Sequence, residues 1–203
     1  MPSGKNLLES EDRAWVAFKT PLDKDSLLEF CQDVERLFRI NPYLVFKKWE
    51  KIEDRRYRFH AVNHSQIHAF NIETDLHIQT TPNGLEVHYA LGLKSNTVFT
   101  VEATPEGSKL TITEKYKTME VDEHLSRLHE VDKSLTKWAE EIQAYLIHWQ
   151  RWSWFTPWCF YMQRIWQPMK PAARRITYML LWISIIEITL VGLGVIVYFI
   201  EYK

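Results

Sequence analysis

Between Leu44 and Lys117 apolar and polar residues alternate with a period of two, and on both sides of that region the period lengthens to that of a helix. The alternation is clearest from His68 onward. His68, Phe70, Ile72, Thr74, Leu76 and Ile78 share one face, while Asn71, Glu73, Asp75, His77 and Gln79 share the other. Leu85, Val87, Tyr89 and Leu91 repeat the pattern, as do Phe99, Val101 and Ala103, and then Leu110, Ile112, Glu114 and Tyr116. The expected strands are Leu44–Ile52, Arg56–Asn63, His68–Thr80, Leu85–Leu91, Thr97–Ala103 and Lys109–Lys117. Asp54-Arg55, Pro82-Asn83-Gly84, Lys94-Ser95-Asn96 and Pro105-Glu106-Gly107-Ser108 are the turns between them. Such a run predicts an antiparallel meander with one buried face.

Upstream, Arg13 to Thr20 reads as a further strand, ended by Pro21. Asp23 to Val34 has helical spacing through Leu27, Leu28, Phe30, Cys31 and Val34, with Asp23 or Asp25 as its cap. A second short helix runs through Leu37 and Phe38 and stops at Asn41-Pro42, because proline drives its predecessor out of the helical region. Downstream, Asp122 to about Gln150 predicts a long amphipathic helix. Leu125, Leu128, Val131, Leu135, Trp138, Ile142, Tyr145 or Leu146, and Trp149 form its apolar stripe, and Glu130, Lys133, Lys137, Glu140 and Glu141 its polar one.

The end of the chain has no polar face. Ile176 to Ile200 is about 25 residues with one formal charge, about 37 Å of helix, enough to cross a hydrocarbon core of about 30 Å. Arg164, Lys170, Arg174 and Arg175 precede it; Glu201 and Lys203 follow it. Positive charge stays on the cytoplasmic side, which predicts a single pass with the N-terminal domain inside, at a bacterial inner membrane. Glu187 lies near the midpoint of the span. A carboxyl there is costly, so it is expected to contact another membrane helix or to stay protonated beside Ser184 or Thr189. Just before the span, Trp149, Trp152, Trp154, Phe155, Trp158 and Trp166 crowd a segment interrupted by Pro157 and Pro168. Indoles favour the headgroup layer, so an interfacial seat is expected, with a docking surface for an integral membrane complex as the alternative.

Composition narrows the field. A net charge of -1 excludes a strongly basic nucleic-acid binder. Cys31 and Cys159 form neither a metal-type pair nor a disulfide framework, and Met1–Trp15 has no apolar stretch of signal-peptide type. His60, His64 and His68 are spaced four apart, and His77 and His88 could face each other across strands, but no carboxylate or Cys spacing completes a metal site. Phosphate loops, nucleophile elbows and HExxH patterns are lacking in the sequence. No metal, cofactor or catalytic set is therefore expected. The basic run Lys47, Lys48, Lys51, Arg55, Arg56 and Arg58 is interleaved with Glu50, Glu53 and Asp54 and reads as a solvated face, with attraction to anionic headgroups as the other reading.

A strand, two short helices, a meander and a long closing helix make an α+β chain. That order, carried by Glu35–Glu50 (ERLFRINPYLVFKKWE), the meander, and Leu125–Leu146 (LSRLHEVDKSLTKWAEEIQAYL), resembles the START-like, polyketide cyclase-like superfamily over residues 10–150. The resemblance implies a helix-grip fold with a cavity between sheet and long helix for an apolar ligand: a lipid, a sterol-like molecule or a quinone. It supplies no catalytic residues. Three segments are expected: a START-like domain over 1–150, a Trp-rich juxtamembrane segment over 151–175 and a transmembrane helix over 176–200. The face assignment nominates Phe70, Ile72, Thr74, Tyr89, Leu91, Phe99, Ile112, Glu114, Leu135, Trp138 and Ile142 as cavity residues. Each could equally fill a packed core. Glu114 stands out as a carboxyl on an apolar register, there to bind or protonate a ligand, or else a strand-end residue that reaches solvent or pairs with a lysine. The expected partners are the bilayer, a hydrophobic small molecule and an integral membrane complex, and no nucleic acid. The function classes left open are a membrane-anchored ligand carrier, an accessory subunit, and a cyclase or hydratase using Glu114 or a histidine.

Overall fold

A computed structural model describes residues 13–117, 134–166 and 168–202. The chain divides into two compact units, Met1–Gln167 and Pro168–Lys203.

In the first unit the strands are β1 (Arg13–Thr20), β2 (Leu44–Glu53), β3 (Arg56–Asn63), β4 (Phe70–Thr81), β5 (Gly84–Tyr89), β6 (Lys94–Thr104) and β7 (Gly107–Tyr116). They form one antiparallel sheet in the order β1-β7-β6-β5-β4-β3-β2. The meander runs from β2 to β7 by hairpins, and β1 closes the other edge beside β7. The link between β1 and β2 carries α1 (Lys24–Gln32) and α2 (Val34–Ile40). Each helix has an aspartate cap. Asp23 accepts from the Ser26 N–H (2.9 Å) and hydroxyl (2.8 Å), and these bonds hold its carboxyl below the usual range. Asp33 accepts from the Arg36 N–H at 3.1 Å. Helix α2 ends at Asn41, as the Asn-Pro pair requires.

Helix α3 (Leu135–Trp152) buries Leu135, Trp138, Ala139, Ile142, Tyr145 and Leu146 against the sheet and α2. The part of the expected long helix that carries Leu125, Leu128 and Val131 lies outside the described residues. A cation clasp ties α2 to α3. The Arg36 guanidinium lies over the rings of Trp149 (4.4 Å), Tyr145 (5.0 Å) and Phe30 (5.2 Å) and donates twice to the Tyr145 hydroxyl, at 2.9 and 2.5 Å. Burial pushes the Tyr145 phenol pKa up.

After α3 come α4 (Thr156–Phe160) and a π-helical stretch, Tyr161–Trp166. Met162 is part of the core, and Trp149, Trp158, Tyr161 and Trp166 pack half-buried against it.

One turn differs from expectation. Lys94-Ser95-Asn96 is strand, not turn; β6 begins at Lys94, and the reversal lies at Ala90–Leu93. Gly92 decides this, because its φ of +99° is a conformation open to glycine at little cost. Leu91 thereby leaves the strand and is exposed.

The second unit holds α5 (Pro171–Glu201), 31 residues with a proline in its first turn. Ala172–Glu201 has a mean hydropathy of 2.4, long and apolar enough to cross a membrane. Tyr178 and Trp182 pair edge to face near its start, and the rings of Tyr198 and Tyr202 lie tilted against each other near its end. Glu187 is exposed on this helix, and the Thr189 hydroxyl donates to the Ile185 carbonyl at 2.8 Å.

Candidate functional site

A cavity of about 300 Å³ opens inside the first unit. Four elements place its walls. Helix α2 brings Phe38 and Asn41, strands β2 and β3 bring Leu44 and Phe59, the start of β4 brings Phe70 to Glu73, and α3 brings Trp138. Tyr89, the reversal Leu91-Gly92-Leu93, Lys94 and Tyr116 complete it. The space exists where the sheet is thinned on two sides. The β4–β5 ladder runs from Leu76 to Thr81, so the first residues of β4 project past the end of β5. Opposite Ile72 on β3 stands Ala61, the smallest residue on that face of the strand.

The apolar wall is held rigidly. Trp138 is fully buried, donates its indole N–H to the Leu37 carbonyl at 2.8 Å, and meets Phe38 (5.3 Å) and Phe99 (5.6 Å) edge to face. Phe38 also contacts Phe59 and Tyr89.

Polar groups gather around Lys94 and Tyr116. Glu114 is 0% exposed and forms an ion pair with Lys94, whose side chain is 14% exposed. The Tyr116 hydroxyl donates to the other Glu114 oxygen at 3.0 Å. The Tyr89 hydroxyl and Thr97 Oγ1 share a hydrogen bond of 2.9 Å. Of the two lining amides, Asn41 bonds Ser134 Oγ (2.8 Å) and the Tyr43 N–H (3.0 Å), and Asn71 accepts from Lys47 Nζ at 3.2 Å.

Five of the eleven residues nominated from the sequence line this space: Phe70, Ile72, Tyr89, Leu91 and Trp138. Phe99, Ile112, Leu135 and Ile142 are on the inner side but packed into the core. Thr74 is buried, and its hydroxyl is spent on the Leu91 backbone, accepting from the N–H at 3.0 Å. Glu114 stands behind Lys94 and Tyr116, paired with a lysine as one of its readings had it, and it does not reach solvent as another had it, because it is 0% exposed. The face pattern did not reveal Phe38, Asn41, Leu44 and Phe59, although the Asn41-Pro42 break marks where α2 stops and leaves room.

The remaining nominees fall elsewhere. Trp149, Trp158 and Trp166 pack on the core, whereas Trp152, Trp154 and Phe155 are exposed, Trp154 at 76%. His77 and His88 are direct cross-strand partners with rings 6.5 Å apart. They border an open groove with Glu53, Asp54, Arg56 and Asp75, in which charges pair with one another. Arg58 donates to Asp75 at 2.6 Å, which holds that carboxyl below its usual range, and Lys48, Lys51 and Arg56 of the same basic run also pair with acids. Among the described residues no three histidine, cysteine or acidic side chains gather as metal ligands.

No protein-family model matches the chain, and no curated protein sequence matches it. Solved structures do. The protein TTHA0849 of Thermus thermophilus is 15% identical, with 68% of this chain and 94% of that chain covered at a TM-score of 0.46. The di-domain ARO/CYC protein StfQ of the steffimycin biosynthetic pathway is 11% identical over 68% of this chain and 51% of its own, at 0.49. A STAR-related lipid transfer protein of Xanthomonas axonopodis is 12% identical over 66% and 84%, at 0.40. The strand order, the two helices between β1 and β2, and the helix that closes the sheet give this chain the START-like, helix-grip fold, followed by an apolar helix long enough to span a membrane.

Proposed function

We propose that this chain is a membrane-anchored, non-enzymatic protein that binds a hydrophobic ligand at the cytoplasmic face of a membrane. It would pass that ligand to or from the bilayer or a membrane enzyme. The observation that carries the reading is a cavity with an aromatic and aliphatic wall, on a chain that also has a 30-residue apolar helix. Its volume of about 300 Å³ lies at the small end of ligand pockets, and its lining is the usual mixture of apolar walls and a few placed polar groups. The cavity replaces the bilayer as solvent for an apolar molecule such as a lipid, a sterol-like compound or a quinone. Arg164, Lys170, Arg174 and Arg175, ahead of the apolar run, favour an inside location for the domain. Trp152, Trp154, Phe155 and Phe160 leave an aromatic surface uncovered close in sequence to α5, and the headgroup layer is the solvent that suits it.

The test is native mass spectrometry with solvent extraction on the full chain purified in mild detergent. A stoichiometric hydrophobic molecule, lost when Phe70 and Trp138 are both replaced by polar residues, is the expected result. An empty domain arriving with stoichiometric membrane subunits would overturn the carrier reading. It would support an accessory subunit that docks through the Trp-rich segment and Glu187.

A further inference from the structure

Resting on the reading that α5 crosses a membrane, we propose that α5 pairs in parallel with α5 of a second copy of this chain, along the face that carries Glu187 and Gly194. Three observations lead here. First, Glu187 is the one formal charge between Ile176 and Ile200, and it has no partner among the described residues. Thr189 does not serve it. Its hydroxyl is spent on the Ile185 carbonyl at 2.8 Å, and two residues along the helix place it about 160° away around the axis. In hydrocarbon a carboxyl without a partner is costly. Second, the residues beside Glu187 on the helix make a seam. Leu180, Glu187 and Gly194 recur at intervals of seven, with Ile183 and Val191 between them. Seven residues are close to two turns, so a left-handed pair of helices keeps all five at one interface. Third, Gly194 gives room at that seam. A Cβ there would meet nothing within 4 Å, so packing within the chain does not call for glycine. Between membrane helices a small residue is what lets two backbones come close.

Depth and direction select the second copy as the occupant. In both copies Arg174 and Arg175 precede the apolar run and Glu201 and Lys203 follow it, so both helices insert the same way and to the same depth. A two-fold axis between them then sets one Glu187 against the other. A carboxylic acid carries both a donor and an acceptor, so each side chain satisfies its twin without any cation in the run. A helix of another protein would have to bring a polar group to that level, which the second copy does by symmetry.

The experiment is sedimentation equilibrium of the full chain in a neutral detergent matched in density to the solvent. Beside it, the same chain in phosphatidylcholine vesicles is washed with alkaline carbonate and floated. The native chain is expected to float with the vesicles and to sediment as monomer and dimer in equilibrium. Glu187→Leu and Gly194→Leu should each weaken the dimer about tenfold, as loss of an interhelical hydrogen bond or of a close approach would. Glu187→Gln, whose amide also donates and accepts, should keep it. Gly192→Leu is the control. It lies about 140° from Glu187 around the helix, and a Cβ there also meets nothing within 4 Å, so the dimer should stay within about twofold of native. A native chain that floats but sediments only as a monomer overturns the proposal and leaves the membrane reading standing. So does a dimer that Glu187→Leu leaves intact, or that Gly192→Leu weakens as much as Gly194→Leu. Release of the native chain by the carbonate wash overturns both.

Discussion

Ile72→Trp separates the cavity from the fold that contains it. Ile72 is half-buried on β4, lines the cavity, and faces the methyl group of Ala61 across the β3–β4 pair. An indole at this position has the cavity's volume of about 300 Å³ to enter. If it buries about 100 Å² more apolar surface, the gain is about 2.5 kcal/mol. Imperfect fit costs about 1–3 kcal/mol. The two effects nearly cancel, so the ligand-free variant should match the ligand-free native chain within about 2 kcal/mol. Ligand linkage does not cancel. At a free concentration a hundred times Kd, a ligand that binds only the folded state adds about 2.7 kcal/mol. For a domain of this size that is about 5–11 °C in Tm. Thermal unfolding of both chains in a non-ionic detergent, with and without dodecanol, measures each quantity. The native chain should shift upward and the variant should not. An equal upward shift in the variant would place the ligand outside this cavity and refute the argument.

Two further outcomes follow from the first unit. Burial pushes the Cys31 thiol from its ordinary 9.0 to about 12. Below pH 9 both folded and unfolded chains hold the proton and its stabilisation is complete; from 9 to 12 only the folded chain holds it. Stability therefore falls as pH rises through that window, by up to about 4 kcal/mol at about 1.4 per unit. Denaturant titrations from pH 8 to 11 should give a shallower decline for Cys31→Ala, and parallel declines would contradict the assignment. At Gly84, a Cβ would sit 1.8 Å from the Phe99 carbonyl oxygen, inside the β5–β6 ladder. Gly84→Ala should cost about 3 kcal/mol or more. At Gly92 nothing lies within 4 Å, and alanine should cost only the left-handed strain, about 1–2 kcal/mol. Urea midpoints of the two variants compare them, and similar losses would argue against the packed approach at Gly84.

Alternation made the sheet legible because its faces differ so sharply in environment. Phe59 and Ala61 on β3, Leu76 and Ile78 on β4, and Leu110 and Ile112 on β7 are all buried, and their neighbours in sequence are more exposed. Capping chemistry made α1 legible, since Asp23 precedes it with Ser26 three residues on. A face assignment sorts residues into inner and outer, and stops there. Phe99 and Ile142 are as much on the inner side as Phe70 and Ile72, yet the first two meet a filled core and the others meet a space. The difference comes from what stands opposite: Ala61 across from Ile72, the end of α2 at Asn41, and a β5 that stops at Tyr89. Those are properties of pairs of segments, and no single periodicity contains them.

Glu114 is the exception, because its chemistry carries information about a second residue. A carboxylate on the inner face of a strand cannot remain ionised without a cation or several donors within reach. Its strand pairs with β6, where Thr97 is the direct partner of Glu114 and Lys94 pairs with Tyr116. If Lys94-Ser95-Asn96 were a turn, the lysine would have no fixed place beside the buried carboxylate. Starting β6 at Lys94 sets the ammonium against the buried carboxylate, and the turn then falls where Gly92 can make it. The demand of one buried charge and the backbone freedom of one glycine thus agree on the same register. That register puts Lys94 on the cavity wall, so the polar groups of the site and the geometry of the β5–β6 reversal have a common origin.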